Sequence, residues 1–322
     1  MLHLRMTLPP DVARRALDVL ADDPRVTNLI VLPGAGRRPT GDAVFCDVAR
    51  EAASEIIDTL QEVGVSEHGA VAVQVIDTPL SRRAEAAEHA APGAPDDGVV
   101  WPVVEQQAWD GVRSTWSFYT FLTLATVLAA IAVVLDSTVL VVGAMVLGPE
   151  FAPVASVAVG VLLRRRRMVV SALRLLLLGF LVAVAITLVL GLLARATGWV
   201  DLADVEAPRP QTGFIWHPDR WSFVVALLAG AAGVLSMTSG RSNVLVGVFI
   251  SVTTVPAAGN LALGLAFTSG SEVTGSLAQL GVNLAGLFAA GLLTLVVQRH
   301  VWAAVVRRGQ RRLERRRLHA PG

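Results

Sequence analysis

The sequence predicts an α-helical polytopic membrane protein, with six spans arranged as a 3+3 inverted repeat, and an N-terminal α+β domain of ferredoxin-like type. Hydrophobic residues make up 53% of the 322 residues and charged residues only 16%, whereas soluble domains carry about a quarter charged residues. The apolar residues are concentrated between 117 and 298, while residues 1–115 mix charge and apolar side chains. Four parts are therefore expected: a cytoplasmic domain at 1–80, a linker with an interfacial helix at 81–115, a six-span membrane domain at 116–298 and a basic cytoplasmic tail at 299–322.

The first 80 residues alternate between strand and helix patterns in the order βαββαβ, which is the ferredoxin-like arrangement. The expected strands are Leu2–Leu8, Val26–Leu32, Ala43–Val48 and Ala70–Ile76, and the expected helices run from Pro10 to about Asp22 and from Glu51 to Val63. The glycine-rich segment Pro33–Gly41 favours a hairpin tip. An anion-binding loop that uses Arg37 and Arg38 is the alternative.

Residues 80–102 are rich in alanine, proline and glycine, so a flexible linker is expected there. Val103–Arg113 then has the pattern of a short helix. With Trp101, Trp109 and Trp116 at interface depth, this helix would lie on the membrane surface. The alternative is an ordinary linker that happens to contain tryptophans.

Six stretches are long and apolar enough to cross a bilayer, whose core of about 30 Å requires about 20 residues of helix. They are Ser117–Leu135, Thr138–Leu163, Met168–Ala194, Ser222–Met237, Val244–Phe267 and Gly275–Gln298. The arginines predict their orientation, because positive residues favour the cytoplasmic side. Arg164–Arg167, Arg241 and the tail after Arg299 fall on the side of the N-terminus, and the loop Thr197–Arg220 falls on the other. Both termini are therefore expected in the cytoplasm, with the spans in the inner (plasma) membrane.

The spans repeat in two sets of three. Trp116-Ser117-Phe118 opens span one and Trp221-Ser222-Phe223 opens span four, and spans two and five each contain a proline in mid-helix, Pro153 and Pro256. Three spans per half is an odd number, so the second half crosses the membrane in the opposite direction. Paired interrupted helices in an inverted repeat are the sequence pattern of a secondary transporter's binding site.

Span two contains the clearest candidate site. Pro149 and Pro153 each remove a backbone donor, so the freed carbonyls near mid-span need protein or a water-filled cavity beside them. Glu150 lies between these prolines near the membrane midplane, where a carboxyl costs about 2.5–3.5 kcal/mol on insertion scales and indicates a functional role. Two structural alternatives remain: a protonated, hydrogen-bonded carboxyl, or a packing pair with Arg174.

Polar groups in the other spans complete the candidate set. In span five, threonine hydroxyls and freed carbonyls can coordinate a cation or substrate, although hydroxyls also repair proline breaks. Arg174, in span three, lies near enough to the arginine cluster to reach the cytoplasmic surface instead. The candidate substrate- or ion-binding residues are Gly148, Pro149, Glu150, Pro153, Arg174, Thr253, Thr254, Pro256, Asn260 and Asn283.

The sequence predicts no catalytic residues, no metal site and no cofactor. The six histidines are scattered without metal-ligand spacing, and no HExxH or GxSxG motif occurs in the spans. A net charge of +1 gives no support for a nucleic-acid partner. The expected partners are the lipid bilayer and a small solute or ion of unknown identity, and the sequence is compatible with a homo-oligomer.

The membrane part resembles a known family, the bacterial and archaeal membrane proteins grouped as domain-of-unknown-function family 389. The resemblance covers roughly residues 115–298. It rests on the pairs Leu124-Ala125 and Ile131-Ala132, the break Asp136-Ser137, and the run Gly143-Ala144-Met145 that leads into Pro149 and Pro153. The family pattern after Pro149 is more often apolar than Glu150-Phe151, which limits a role for Glu150 to a branch. The resemblance implies a membrane location and, in many members, a soluble N-terminal domain.

Two functional hypotheses follow. The first is a secondary transporter or channel-like protein for a small solute or ion, with the soluble domain as a cytoplasmic regulator. The second is a membrane-anchored sensory or scaffold protein without transport activity. The repeat and Glu150 favour the first, and the lack of a carboxylate in span five favours the second.

Overall fold

The computed structural model describes residues 1–76, 81–91, 93, 98–239 and 253–318. The chain divides into two compact units, Met1–Glu105 with Gln298–Gly322, and Gln106–Val297. The first contains the small sheet, and the regular elements of the second are all helices in its described part.

The first unit is built on a four-stranded antiparallel sheet in the order β2-β3-β1-β4. Its strands are β1 Leu2–Leu8, β2 Val26–Arg37, β3 Thr40–Val48 and β4 Ala70–Val75. Its helices are α1 Pro10–Leu20, α2 Ala53–Glu62, after a 3-10 turn at Arg50–Ala52, and the short α3 Val65–His68. Strand side chains alternate between faces, so Leu2, Leu4, Met6 and Leu8 all point into one core.

The β2–β3 hairpin is longer than the sequence pattern suggests. Gly36 pairs with Gly41 and Arg37 pairs with Thr40, so the strands continue almost to the tip. A β-carbon at Gly41 would lie 1.9 Å from the Leu8 carbonyl oxygen, which explains the glycine. Most of Pro33–Gly41 therefore lies in the two strands, and the tip of the hairpin is confined to Arg38 and Pro39.

The compact unit extends beyond residue 80, the boundary that the sequence suggested. Helix α4, Arg82–Ala90, buries Ala84 and Ala87 against Met1. Further on, the Ser54 hydroxyl donates to the Val99 carbonyl at 2.9 Å, and Val100 is buried in the core of the sheet. The unit consequently reaches Glu105. Residues 92 and 94–97 of the predicted linker lie outside the described residues.

Nine helices follow among the described residues. They are α5 Trp101–Gly111, α6 Trp116–Val134, α7 Thr138–Leu147, α8 Phe151–Leu162, α9 Arg166–Ala196, α10 Leu202–Glu206, α11 Arg220–Ser239, α12 Thr254–Phe267 and α13 Gly270–Leu318. Four of them, α6, α9, α11 and the apolar part of α13, are long and apolar enough to cross a membrane. The bent pair α7–α8 makes up to five.

The structure therefore shows four or five of the six predicted spans in its described residues. The predicted fifth span, Val244–Phe267, is represented by the 14 residues of α12, because residues 240–252 lie outside the described part of the chain. Arg241 falls in the same stretch. For the tail after residue 304, the backbone helix is described as far as Leu318.

Both prolines that seemed to interrupt a helix lie in a first turn instead. Pro153 is the third residue of α8, and Pro256 is the third residue of α12. A first-turn proline lacks only a donor that has no partner in the helix anyway. The expectation of mid-helix prolines is therefore wrong: the chain bends by 50° before α8, in the three residues that follow Leu147.

Three connections meet at one end of the helical unit. The Asp136 carboxylate accepts hydrogen bonds from the Thr212 amide at 2.9 Å and the Thr212 hydroxyl at 2.8 Å. Arg195, near the end of α9, donates to the Ala266 carbonyl at 2.8 Å. The α6–α7 turn, the α9–α11 connection and the end of α12 therefore lie together.

The α8–α9 and α12–α13 turns have the same local geometry. Each contains a non-glycine residue with positive φ, Arg164 at 57° and Thr268 at 60°. The next residue in each turn donates its amide to the carbonyl of a glycine five residues earlier. The two bonds are Arg165 to Gly160 at 2.8 Å and Ser269 to Gly264 at 2.9 Å.

Candidate functional site

The break between α7 and α8 consists of Gly148, Pro149 and Glu150. Glu150 occupies the N-cap position of α8, but its side chain makes no capping bond. Pro149 has no amide hydrogen and cannot continue α7. The carboxyl of Glu150 is thereby left to bond elsewhere.

That carboxyl turns toward the start of α12. The Thr254 hydroxyl donates to Glu150 Oε1 at 2.5 Å, and both side chains are buried. Glu150 Oε2 has no hydrogen-bond partner among the described residues. It lies close over Gly148, where a β-carbon would be 2.3 Å from it. The carboxyl can therefore occupy this position only because residue 148 has no side chain.

A second layer of polar groups surrounds Thr253, the N-cap residue of α12. Its hydroxyl oxygen accepts from Gln279 Nε2 at 2.9 Å and from Asn283 Nδ2 at 2.7 Å. Gln279 and Asn283 are one turn apart on α13, so they present the same helix face. Gln279 Oε1 is buried and, within the described chain, has no partner.

We call these five residues the Glu150 cluster: Glu150, Thr253, Thr254, Gln279 and Asn283. It joins the starts of α8 and α12 to one face of α13. Its side chains offer hydroxyl, carboxamide and carboxyl oxygens, and no cationic side chain bonds to them in the described part of the protein. Such a set can hold a proton, a cation or a small polar solute.

The other predicted site residues have different surroundings. Gly148, Pro153 and Pro256 are buried beside the cluster as backbone elements, and Pro149 is half-buried. Arg174 is exposed on α9, and no ion pair between Arg174 and Glu150 is seen in the described structure. The alternative in which Glu150 forms a packing pair with Arg174 is therefore wrong.

Asn260 belongs to a separate cluster six residues further along α12, about 9 Å at 1.5 Å per residue. Its side-chain oxygen accepts from Arg209 Nη1 at 2.9 Å, and its amide donates to Ser276 Oγ at 2.9 Å. The Arg209 guanidinium also forms an ion pair with Glu272, and both side chains are buried. We call this set the Arg209 cluster.

Sequence reasoning missed Gln279, Arg209, Glu272 and Ser276. The spacing of Gln279 and Asn283, four apart on an otherwise apolar helix, was a usable signal. Arg209 lies in a connection between helices, and no local pattern indicates which helix such a residue will reach.

Comparison with known proteins gives two matches. Residues 145–289, just under half of the chain, match the model of the family described as a domain of unknown function (DUF389). An uncharacterised protein of Methanocaldococcus jannaschii is 23% identical over 135 residues, which is 42% of this chain and 39% of that protein. The chain therefore spans about two fifths of the length of this curated relative.

No solved structure matches the chain significantly. The family match begins within α7 and ends within α13, so it includes every residue of the Glu150 cluster. The resemblance that the membrane motifs predicted, to family 389, is thus confirmed over residues 145–289.

Proposed function

We propose that the chain is a secondary transporter or channel-like membrane protein for a small solute or ion. The Glu150 cluster is the observation that carries this proposal. Polar side chains buried among membrane helices are costly, and they usually mark a substrate or ion pathway. Here a carboxyl, two hydroxyls and two carboxamides meet where two short helices begin.

An inverted repeat of the two halves is part of the proposal, and the paired turns support it. Arg164 and Thr268 are 104 positions apart (268 − 164), and so are Glu150 and Thr254. At the helix starts the N-cap residues Glu150 and Thr253 are 103 positions apart (253 − 150), so the Glu150–Thr254 hydrogen bond joins nearly equivalent positions of the two halves. Contacts between equivalent positions are expected at a two-fold axis, which is where transporters with inverted repeats bind substrate.

Helix packing is similar in the two halves, although the glycines that allow it are 107 positions apart (286 − 179). In the first half, a β-carbon on Gly179 of α9 would meet the ring of Phe118 in α6 at 2.7 Å. In the second half, a β-carbon on Gly286 of α13 would meet Ala226 in α11 at 2.8 Å and the ring of Phe223 at 3.6 Å. Glycines at these sites allow close approach of the third helix to the first in each half.

The N-terminal unit is proposed as a cytoplasmic regulatory domain of ferredoxin-like type. Its element order and its sheet order β2-β3-β1-β4 support that classification. The arginines of Arg164–Arg167 support a cytoplasmic location for the termini in the inner membrane.

The proposal is tested by flux into proteoliposomes, using a panel of ions and small solutes. Wild type is compared with Glu150→Gln, which keeps the size of the side chain but cannot ionise. The matched control is Thr187→Val, because Thr187 is a buried threonine of α9 whose hydroxyl has no partner among the described residues.

Glu150→Gln should reduce flux at least tenfold while membrane insertion is retained, and Thr187→Val should behave as wild type. Glu150→Leu should fold well, since it removes the cost of inserting a carboxyl. Full flux in Glu150→Gln would make Glu150 a structural residue. Absence of flux for the whole panel would favour the membrane-anchored sensory or scaffold protein instead.

A further inference from the structure

Two acceptor oxygens of the Glu150 cluster receive no hydrogen bond from the described chain. The hydroxyl hydrogen of Thr254 is directed at Glu150 Oε1, and amide hydrogens of Gln279 and Asn283 are directed at Thr253 Oγ1. Glu150 Oε2 and Gln279 Oε1 are left buried without a donor from the described chain. Buried acceptors without partners are costly and rare in folded proteins.

Two arginines of the helical unit, Arg209 and Arg174, do not pair with Glu150 in the described structure. Arg209 is occupied by Glu272 and Asn260, and Arg174 is exposed on α9. The Glu150 carboxylate therefore has no counter-charge among the side chains that the structure describes around it. A buried carboxylate without a counter-charge needs a proton or a bound cation.

Resting on the proposed function, we propose that the Glu150 cluster binds a small monovalent metal cation of the sodium class. Glu150 Oε2 and Gln279 Oε1 are the principal ligands, and the hydroxyl oxygen of Thr254 is an auxiliary one. Oxygen ligands of this kind suit hard cations. Gln279 thereby has a ligand role that its position alone would not suggest.

The charge of the cluster sets the charge of the ion. Glu150 is its single carboxyl, and the described residues contain no group of three His, Cys, Asp or Glu that could hold a metal. The starts of α8 and α12 carry about half a positive charge each at their N-terminal ends, which opposes any bound cation and opposes a divalent ion most. Divalent ions usually require several carboxylates, so a single positive charge matches this site better.

Binding is tested on the full-length protein in detergent. The thermal unfolding midpoint is measured at pH 8 in sodium, potassium and lithium chloride, against N-methyl-D-glucamine chloride at equal ionic strength. We expect sodium or lithium to raise the midpoint saturably in wild type and in Thr187→Val, and potassium to have a smaller effect. Glu150→Gln should lose the response, and Gln279→Leu should raise the half-saturating concentration at least tenfold. If Gln279→Leu does not fold, Gln279→Asn, which withdraws the amide oxygen, replaces it.

Equal midpoints in all salts, or an unchanged response in Glu150→Gln, would overturn the proposal. Stabilisation by acid alone, lost in Glu150→Gln and independent of the cation, would assign a proton to the site and also overturn it. The two proposals fail separately. Saturable binding without flux in proteoliposomes contradicts transport only, and flux without saturable binding contradicts the cation site only.

Discussion

Arg209 and Glu272, 63 residues apart in sequence, form an ion pair whose side chains are only 5% and 4% exposed. Arg209 lies in the connection that precedes α11, and Glu272 lies in the first turn of α13. Because the same guanidinium also bonds to Asn260, the connection is fastened to α12 and α13 together. In the same connection, the backbone amides of Gln211 and Thr212 donate hydrogen bonds to the carboxylate of Asp136, which lies in the α6–α7 turn.

Breaking this pair should destabilise the protein strongly. Glu272→Gln leaves a buried guanidinium without its counter-charge, and removal of one partner of a buried pair costs about 3–5 kcal/mol. The double variant Arg209→Met with Glu272→Leu should recover most of that loss, since it removes both charges. Unfolding in detergent measures the effect. The exposed Arg174→Gln serves as control and should change stability by less than about 0.5 kcal/mol. A loss in the double variant as large as in Glu272→Gln would contradict this account.

Single cysteines should label from two sides of the membrane. Positions 204 and 270 lie at the end of the helical unit where Asp136 and Arg209 make their bonds, and position 167 follows α8 at the other end of that helix. In a Cys46→Ser background, an impermeant maleimide added outside should therefore label 204 and 270 but not 167. Labelling of 204 from the cytoplasm would refute the orientation that the arginines predict.

The native Cys46 thiol should react only when the protein unfolds. Cys46 is buried, and burial together with the nearby Asp47 charge raises its pKa to about 12. Thiols react as thiolates, so at pH 8 the folded protein should consume almost no thiol reagent. The rate should rise steeply across the urea unfolding transition. Mass spectrometry measures the extent of modification over time. Rapid modification of the folded protein would show that the structure opens locally around Cys46.

Residues after 85 should stabilise the N-terminal unit. Val100 is buried in its core, and the Ser54 hydroxyl donates to the Val99 carbonyl and accepts from the Trp101 amide. A buried valine contributes about 1.5–3 kcal/mol. A fragment of residues 1–111 should therefore unfold at higher urea than a fragment of residues 1–85, and Val100→Ala should bring it part of the way down. Equal midpoints for the two fragments would mean that the later segment adds nothing.

Glu51 should make the N-terminal unit less stable as pH rises. Burial raises the pKa of this carboxyl, and the charge of Glu88 raises it further. A carboxyl with a raised pKa in the folded state binds its proton more tightly when folded, so its favourable contribution is complete below the ordinary carboxyl pKa. That contribution is lost as pH rises through the folded-state pKa. Glu51→Gln should therefore raise the unfolding midpoint at pH 8 and change it little at pH 4, while the exposed Glu85→Gln should have little effect at either pH.

Strong periodic patterns made much of the fold predictable. The alternation in β1 and the long apolar runs of α6 and α9 are local signals, and the corresponding elements lie where they were expected. The β2–β3 hairpin was harder, because Pro33 and several glycines favour a turn. Pairing with β3 nevertheless keeps that segment extended, as tertiary contacts can override local propensity.

The sequence predicted how far inside the apolar segments the site residues lie, but not which side of each helix faces the protein interior. Hydropathy indicates that Glu150, Thr254 and Asn283 lie well inside apolar segments, and the structure brings these side chains into one cluster. Hydropathy does not indicate which way a helix faces. The runs Ser171-Ala172-Leu173-Arg174-Leu175 and Ser276-Leu277-Ala278-Gln279-Leu280 place Arg174 and Gln279 at matching positions, yet Arg174 is exposed whereas Gln279 is buried.

Gly148 offers a way to obstruct the site without altering any polar group. An added methyl at this position would lie 2.3 Å from Glu150 Oε2 and 2.7 Å from a Val255 methyl, so the carboxyl and the start of α12 must move away from the break. Gly148→Ala is therefore a steric wedge between the two halves. The variant therefore separates the position of the ligand oxygens from their chemistry, because it displaces them while it retains every one of them.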